Sequence, residues 1–198
     1  MKTNKFFKKL FLCFVVLGFS VNHIQSQIFK LDNSASHLTV FGTSNLHGWK
    51  VSAETQQGSI SFNDLFTCEI DHLTLAVLTK SLKGVKPGIT ETVAKTLNAD
   101  KYRYILFELS KVKQVQEISP GVFKVEVLGN LIISGFKKTV QLDLDLVKNE
   151  NTVQLRGETK LKMTDFNITP PKALLGKLKV KDDLMIRFET KFITEESL

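Results

Sequence analysis

Past residue 26 the imidazoles and thiols able to do acid–base or metal chemistry are few: His37, His47, His72 and Cys68. A metal centre needs several such groups converging, with carboxylates behind them. No two of these histidines stand at metal-ligand spacing, so no metal site is expected. Asp71 and His72 are neighbours on a strand-like run, and neighbours on a strand point to opposite faces, so they cannot act as a catalytic dyad. The chain has no phosphate-cradling glycine loop, no G-x-S-x-G, no H-E-x-x-H and no cysteine pair beyond residue 26. No catalytic residue is assigned, and an enzyme is not expected. Cys68 opens an apolar run and reads as a small buried hydrophobe. His47 lies in a turn, where it is expected to bond backbone.

Lysines offer a different chemistry. Lys80, Lys83 and Lys86 punctuate one loop, and Lys172, Lys177, Lys179 and Lys181 another. Brought to one end of a fold, the two loops would suit a phosphate or quinone headgroup, or an anionic membrane. Solvated loop lysines are the plainer alternative. Leu174, Leu175 and Leu178 lie among the second set, and such an oily patch suits either a flap over a pocket or a membrane-touching edge, with transient membrane contact through Lys172, Leu174, Leu175, Lys177 and Leu178.

The elements that would position these groups begin after a leader. Lys2, Lys5, Lys8 and Lys9 precede an apolar run from Leu10 to Phe19 and a polar stretch to Gln27, the layout of a secretory signal. The run is about ten residues, where a bilayer span needs roughly twenty. Residues 1–26 are therefore expected to be a signal peptide cleaved near Ser26, residues 27–198 one domain, and the protein periplasmic or secreted. The leader holds four lysines and no acid, so its loss takes the formal charge from +7 to +3. That leaves no block of like charge, and nucleic acid is not an expected partner.

Strand after strand then alternates with period two. Val140, Leu142, Leu144 and Leu146 oppose Gln141, Asp143 and Asp145; Leu184, Ile186 and Phe188 oppose Met185, Arg187 and Glu189. About eight such runs occur, many of them long. Glycine-containing turns at Gly121 and Gly135, and Asn149 to Asn151, are short enough for antiparallel hairpins. One helix is expected after Pro87-Gly88, with Thr90 as its cap and Val93, Ala94 and Leu97 on one stripe. Antiparallel strands with one oily face close into a barrel or pair as two sheets. One tryptophan and two tyrosines do not make the aromatic girdles of a membrane barrel.

The succession of segments resembles the YceI-like family of exported lipid-binding proteins. Its opening is similar to Phe29-Lys30-Leu31-Asp32, Ser36 to Val40 and His47-Gly48-Trp49; its middle to LTKSLKGVKPGITETVAKTLNADKYRYILFEL, residues 78 to 109. VLGNLIISGFKKTVQLDLDL, residues 127 to 146, and LKMTDFNITPP, residues 161 to 171, resemble its hairpin and its late strand and loop. Arg103 stands where the family commonly has proline, and residues 170 to 181 are more basic than usual.

The resemblance implies an all-β, eight-stranded antiparallel lipocalin-like barrel with one short capping α-helix. It also implies a carrier enclosing an isoprenoid-like or other amphiphilic lipid, with no resident cofactor beyond such a lipid or a quinone. An eight-stranded barrel is about the size that either fills itself or holds one small ligand. A filled barrel, acting as an interaction or stress-response protein without a ligand, is the alternative. Inward, ligand-lining residues are expected to be Phe41, Trp49, Phe62, Leu75, Val77, Phe107, Leu109, Val125, Leu131, Ile133, Leu142, Leu144, Leu161, Met163, Phe166, Ile186 and Phe188. Leu82, Val93 and Leu97 are expected on the inner side of the helical lid. Trp49 is expected to present its ring to the interior and its N–H at the rim, and His37, with the parity of Phe41, to face the barrel mouth. For each inward residue, ordinary core packing is the competing role.

Overall fold

The structure is a computed structural model and describes residues 27–86, 88–173 and 177–194. The expected leader, Leu174 and Leu175 lie outside those residues.

Twelve strands form one antiparallel system among the described residues. Three pairs of them act as jogged staves. β1 (Gln27–Leu31) and β2 (His37–Ser44) lie one after the other along the last strand, β12 (Leu178–Thr194). The jog between them is a 3-10 turn, Asn33–Ala35, capped by Asp32, whose Oδ1 accepts from the amide of Ser34 at 2.9 Å. The hydroxyl of Ser34 also donates to that carboxylate and holds it below the usual range. β3 (Gly48–Ala53) and β4 (Gln56–Asp64) make the second stave, with β3 paired to β2 and β4 to β1. β5 (Glu69–Leu78) and β6 (Leu82–Gly84) make the third, broken at the turn Thr79–Ser81.

The other staves are unbroken: β7 (Tyr104–Ser119), β8 (Val122–Ile133), β9 (Phe136–Lys148), β10 (Thr152–Lys162) and β12. β5 pairs with β7 from Thr74↔Glu108 to Leu78↔Tyr104, and β12 pairs with β10 on one side and with β1 and β2 on the other. The ring is therefore closed, and the eight-stranded antiparallel barrel expected from the sequence is the fold. A short strand, β11 (Lys172–Ala173), lies on the start of β12.

One helix, α1 (Ile89–Thr96), covers one end. Its N-cap is Gly88, at φ 81°, where a residue with a Cβ would be strained. Thr90, the expected cap, instead accepts the amide of Gly84 on its hydroxyl at 3.1 Å. The helix C-terminus is tied to the β8–β9 turn, where the hydroxyl of Ser134 donates to the Leu97 carbonyl at 3.0 Å.

The opposite end of the barrel is packed solid. Phe29, Ile60, Phe62, Val125, Val127, Leu146 and Val153 are buried there, with the Phe29 and Phe62 rings edge to face at 6.0 Å. Burying side chains of this size contributes roughly 1.5–3 kcal/mol each. Cys68 belongs to this plug, fully buried in the β4–β5 turn, and desolvation pushes its thiol up to about 11. It is the small buried hydrophobe expected.

Candidate functional site

Strand alternation, continued around a closed ring, sets one row of side chains from every stave against the axis. On β9, Val140, Leu142, Leu144 and Leu146 are buried while Gln141, Asp143 and Asp145 are exposed. Leu146 enters the plug, but Val140, Leu142 and Leu144 border a cavity of about 520 Å³ above it. Packing thus fills only the closed end of the barrel.

Phe107, Leu144, Leu155 and Phe192 form the cavity's inner end, and Ile89 and Val93 of α1, with its C-cap Leu97, form part of its roof. Leu184, Ile186 and Phe188 line one wall and are only half-buried, because their accessible surface faces the cavity. Trp49 lies across Gly42, where a Cβ would come within 2.1 Å of the ring. Its Nε1 donates to the Thr43 carbonyl at 3.4 Å, so the ring faces the cavity and the N–H its edge, as expected. The turn Met163–Phe166 is held to β12 by Asp182, which accepts from the Thr164 amide at 2.9 Å and hydroxyl at 2.7 Å. That hydroxyl keeps the Asp182 carboxyl below its usual range, and the anchored turn places Met163 and Phe166 in the wall.

Few polar groups interrupt this hydrocarbon. Thr159 and Thr190 are the threonines in the strand walls. Ser44, His47, Lys86, Thr92, Thr96, Lys162 and Lys172 lie around the mouth. Lys162 is paired with Asp183 at 3.3 Å, while Lys86 and Lys172 have no carboxylate partner among the described residues. Outside the wall, Arg187–Glu158 at 2.9 Å and Arg156–Glu189 at 2.7 Å bridge strands in water. Such exposed pairs contribute about 0–1 kcal/mol; their effect is to keep the outer face wet.

The structure brings Trp49, Leu75, Val77, Leu82, Val93, Leu97, Phe107, Leu131, Ile133, Leu142, Leu144, Leu161, Met163, Phe166, Ile186 and Phe188 to the cavity. Four expected residues are elsewhere. Phe62 and Val125 are buried in the plug, below the hollow. Leu109 packs on the core just before a bulge in β7 that shifts the register. Phe41 points outward, under the guanidinium of Arg187 at 5.6 Å. On β2 the inward positions are those of Leu38 and Val40, not those of the larger Phe41. The expectation for His37 falls with it: that residue is exposed and does not line the mouth.

The His47 carbonyl accepts the Ser44 amide and the His47 amide donates to the Ser44 hydroxyl, so its backbone is bonded in the turn as expected, and it also borders the mouth. Leu178, expected either in a flap over a pocket or at a membrane-touching edge, is half-buried and lines the cavity. Val51, Leu73, Leu155 and Phe192 were missed, although each keeps the strand parity of a lining neighbour. Ile89, Thr92 and Thr96 continue the helical stripe of Val93. Among the described residues no group of three or more His, Cys, Asp or Glu side chains converges as a metal site would require.

A family model for the YceI-like domain matches residues 29–192. No curated protein matches the chain by sequence. Among solved structures, the chain is similar to BcnA of Burkholderia cenocepacia, with TM-score 0.65 and 16% identity over 81% of this chain and 98% of that one. It is similar also to a polyisoprenoid binding domain from Saccharophagus degradans implicated in plant cell wall breakdown, with TM-score 0.65 and 12% identity over 84% and 98%. The YCEI protein of Campylobacter jejuni aligns with TM-score 0.55 and 19% identity over 70% of this chain and 81% of that one. At these identities the likeness is one of fold.

Proposed function

This chain belongs to the family of YceI-like domains, and we propose that it is an exported, non-enzymatic carrier holding the tail of an isoprenoid-like or similar amphiphilic lipid inside its barrel. The observation that carries this reading is the cavity of about 520 Å³ with its hydrocarbon wall. That volume lies within the range of small-molecule pockets, and an apolar wall without competing donors selects an apolar guest. Empty, such a wall forgoes dispersion contacts that a tail would restore.

Because the plug closes the far end, the guest enters tail first. Its head, of an isoprenoid or a quinone, rests at the mouth near Lys86 and Lys172. The polyisoprenoid binding domain from Saccharophagus degradans supports the choice of tail, and the lysine-rich, apolar, polar order of residues 1–26 supports export to the periplasm or beyond. Denaturing extraction of the purified protein, followed by mass spectrometry, should release an amphiphile with a long apolar chain. A folded preparation that yields none, and takes up no isoprenoid when offered it, contradicts the proposal.

A further inference from the structure

At the mouth, the two most exposed apolar side chains point away from the cavity. Leu46, at the tip of the β2–β3 turn, is 61% exposed, and Val85, between β6 and α1, is 72% exposed. Neither lines the hollow, so neither is explained by the guest. Both belong to one rim. Asn45 clasps the β2–β3 turn to the start of β12: its amide donates to the Lys179 carbonyl at 3.0 Å and its Nδ2 to the Lys177 carbonyl at 2.9 Å. Pairing of Val51 with Gly84 brings the chain just before Val85 alongside β3. The neighbours in sequence of the two tips, His47 and Lys86, both border the cavity mouth.

Unpaired lysines outnumber unpaired carboxylates around these tips. Lys86, Lys172, Lys177 and Lys179 are exposed, and none has a carboxylate partner among the described residues. Most carboxylates at this end are already engaged, Asp183 with Lys162, Asp165 with Lys138, Asp100 with Lys80 and Asp182 with Thr164; Glu91, in the first turn of α1, is the exception. Phe66, an exposed aromatic at the closed end, differs in lying beneath Lys148 at 5.9 Å.

We propose that this rim docks the barrel mouth-down on an anionic bilayer, with Leu46 and Val85 inserted among the acyl chains and the lysines on the headgroups. Apolar tips framed by lysine are the composition that interfacial binding requires, and an anionic leaflet supplies the complementary charge. The inference goes beyond the carrier reading and rests on surface groups outside the cavity. Docking in this pose would let a tail pass between membrane and barrel without crossing water.

The test is sedimentation of the purified protein with phosphatidylcholine vesicles, with and without phosphatidylglycerol. Binding is expected only with the anionic lipid and should weaken as salt is raised. Leu46→Ser with Val85→Ser should weaken it roughly tenfold or more. Lys177→Glu with Lys179→Glu should weaken it at least roughly fivefold for each lysine removed, and abolish most of the salt dependence. Both double variants should melt like the parent and still take up detergent-dispersed geranylgeraniol, which reports the cavity separately. Parent protein that takes up geranylgeraniol but ignores anionic vesicles overturns the docking claim and leaves the carrier reading standing. Variants that sediment as well as the parent overturn it too.

Discussion

Trp49 is the only tryptophan in the chain, and its ring is part of the cavity wall. Its fluorescence therefore reports occupancy: an apolar guest displaces water from the ring, so emission should shift to the blue on loading. Gly42→Ala would place a methyl within 2.1 Å of that ring and force it to move, so it should both red-shift the emission and weaken uptake. Emission indifferent to loading would contradict the placement of Trp49. Cys68 makes a pH prediction. Its folded thiol titrates at about 11 against an ordinary 9.0, so the unfolded chain loses its proton first as pH rises. The stability this contributes is complete below pH 9.0 and is lost between 9.0 and about 11. Urea midpoints measured across that window should fall for the parent and fall less for Cys68→Ala. At this scale the sequence was legible wherever parity and size agreed, as at Leu142 and Leu144. It misled where they conflicted: Phe41 outweighed Leu38 and Val40 by size, while Gly42, whose space the Trp49 ring fills, broke the visible alternation on the inward side.

Elements were legible in proportion to the length of their alternation. β8, β9 and β10 carry unbroken period-two patterns with short turns between them, and β12 does so from Leu184 onward, past an irregularity at Asp182, between Val180 and Leu184. The jogs in the first three staves were not legible, because the 3-10 turns at Asn33–Ala35 and Thr79–Ser81 hold neither glycine nor proline. The Asp32 cap holds the first, hydroxyl bonds from Thr79 to the Tyr102 carbonyl and from Ser81 to the Leu78 carbonyl hold the second, and pairing to distant strands, which no local pattern records, fixes both. The β8–β9 turn is a sharper case. Ser134 at φ 50° and Gly135 at φ 81° both occupy the left-handed region, as a two-residue hairpin requires. A Cβ on Gly135 would also meet the Tyr102 ring at 2.6 Å. Gly135→Ala should therefore cost about 1–3 kcal/mol, read as a lower denaturant midpoint with an unchanged slope. A midpoint equal to the parent's would remove this turn from the account of how β8 and β9 are held in register.

For the whole molecule, a plug at one end and a hollow at the other divide stability from binding. Phe29, Phe62 and Val125 sustain the fold, and the hollow above them is free to be lined for a guest. The depth at which filling stops was not legible, since inward residues of plug and cavity obey the same alternation. A guest that binds only the folded state stabilises it in proportion to its concentration, so the lipid-free protein should melt lower than the loaded one. The most direct measurement is intact-complex mass spectrometry of the lipid-free protein titrated with geranylgeraniol, alongside Leu144→Trp. Leu144 borders the cavity, so an indole there has room and should occupy the tail's place. The account predicts a one-to-one complex for the parent and none for Leu144→Trp, which still melts cooperatively. A parent that takes up no chain would contradict it, as would a tryptophan variant that binds as well as the parent or loses about 1–3 kcal/mol of stability, the mark of an already filled interior.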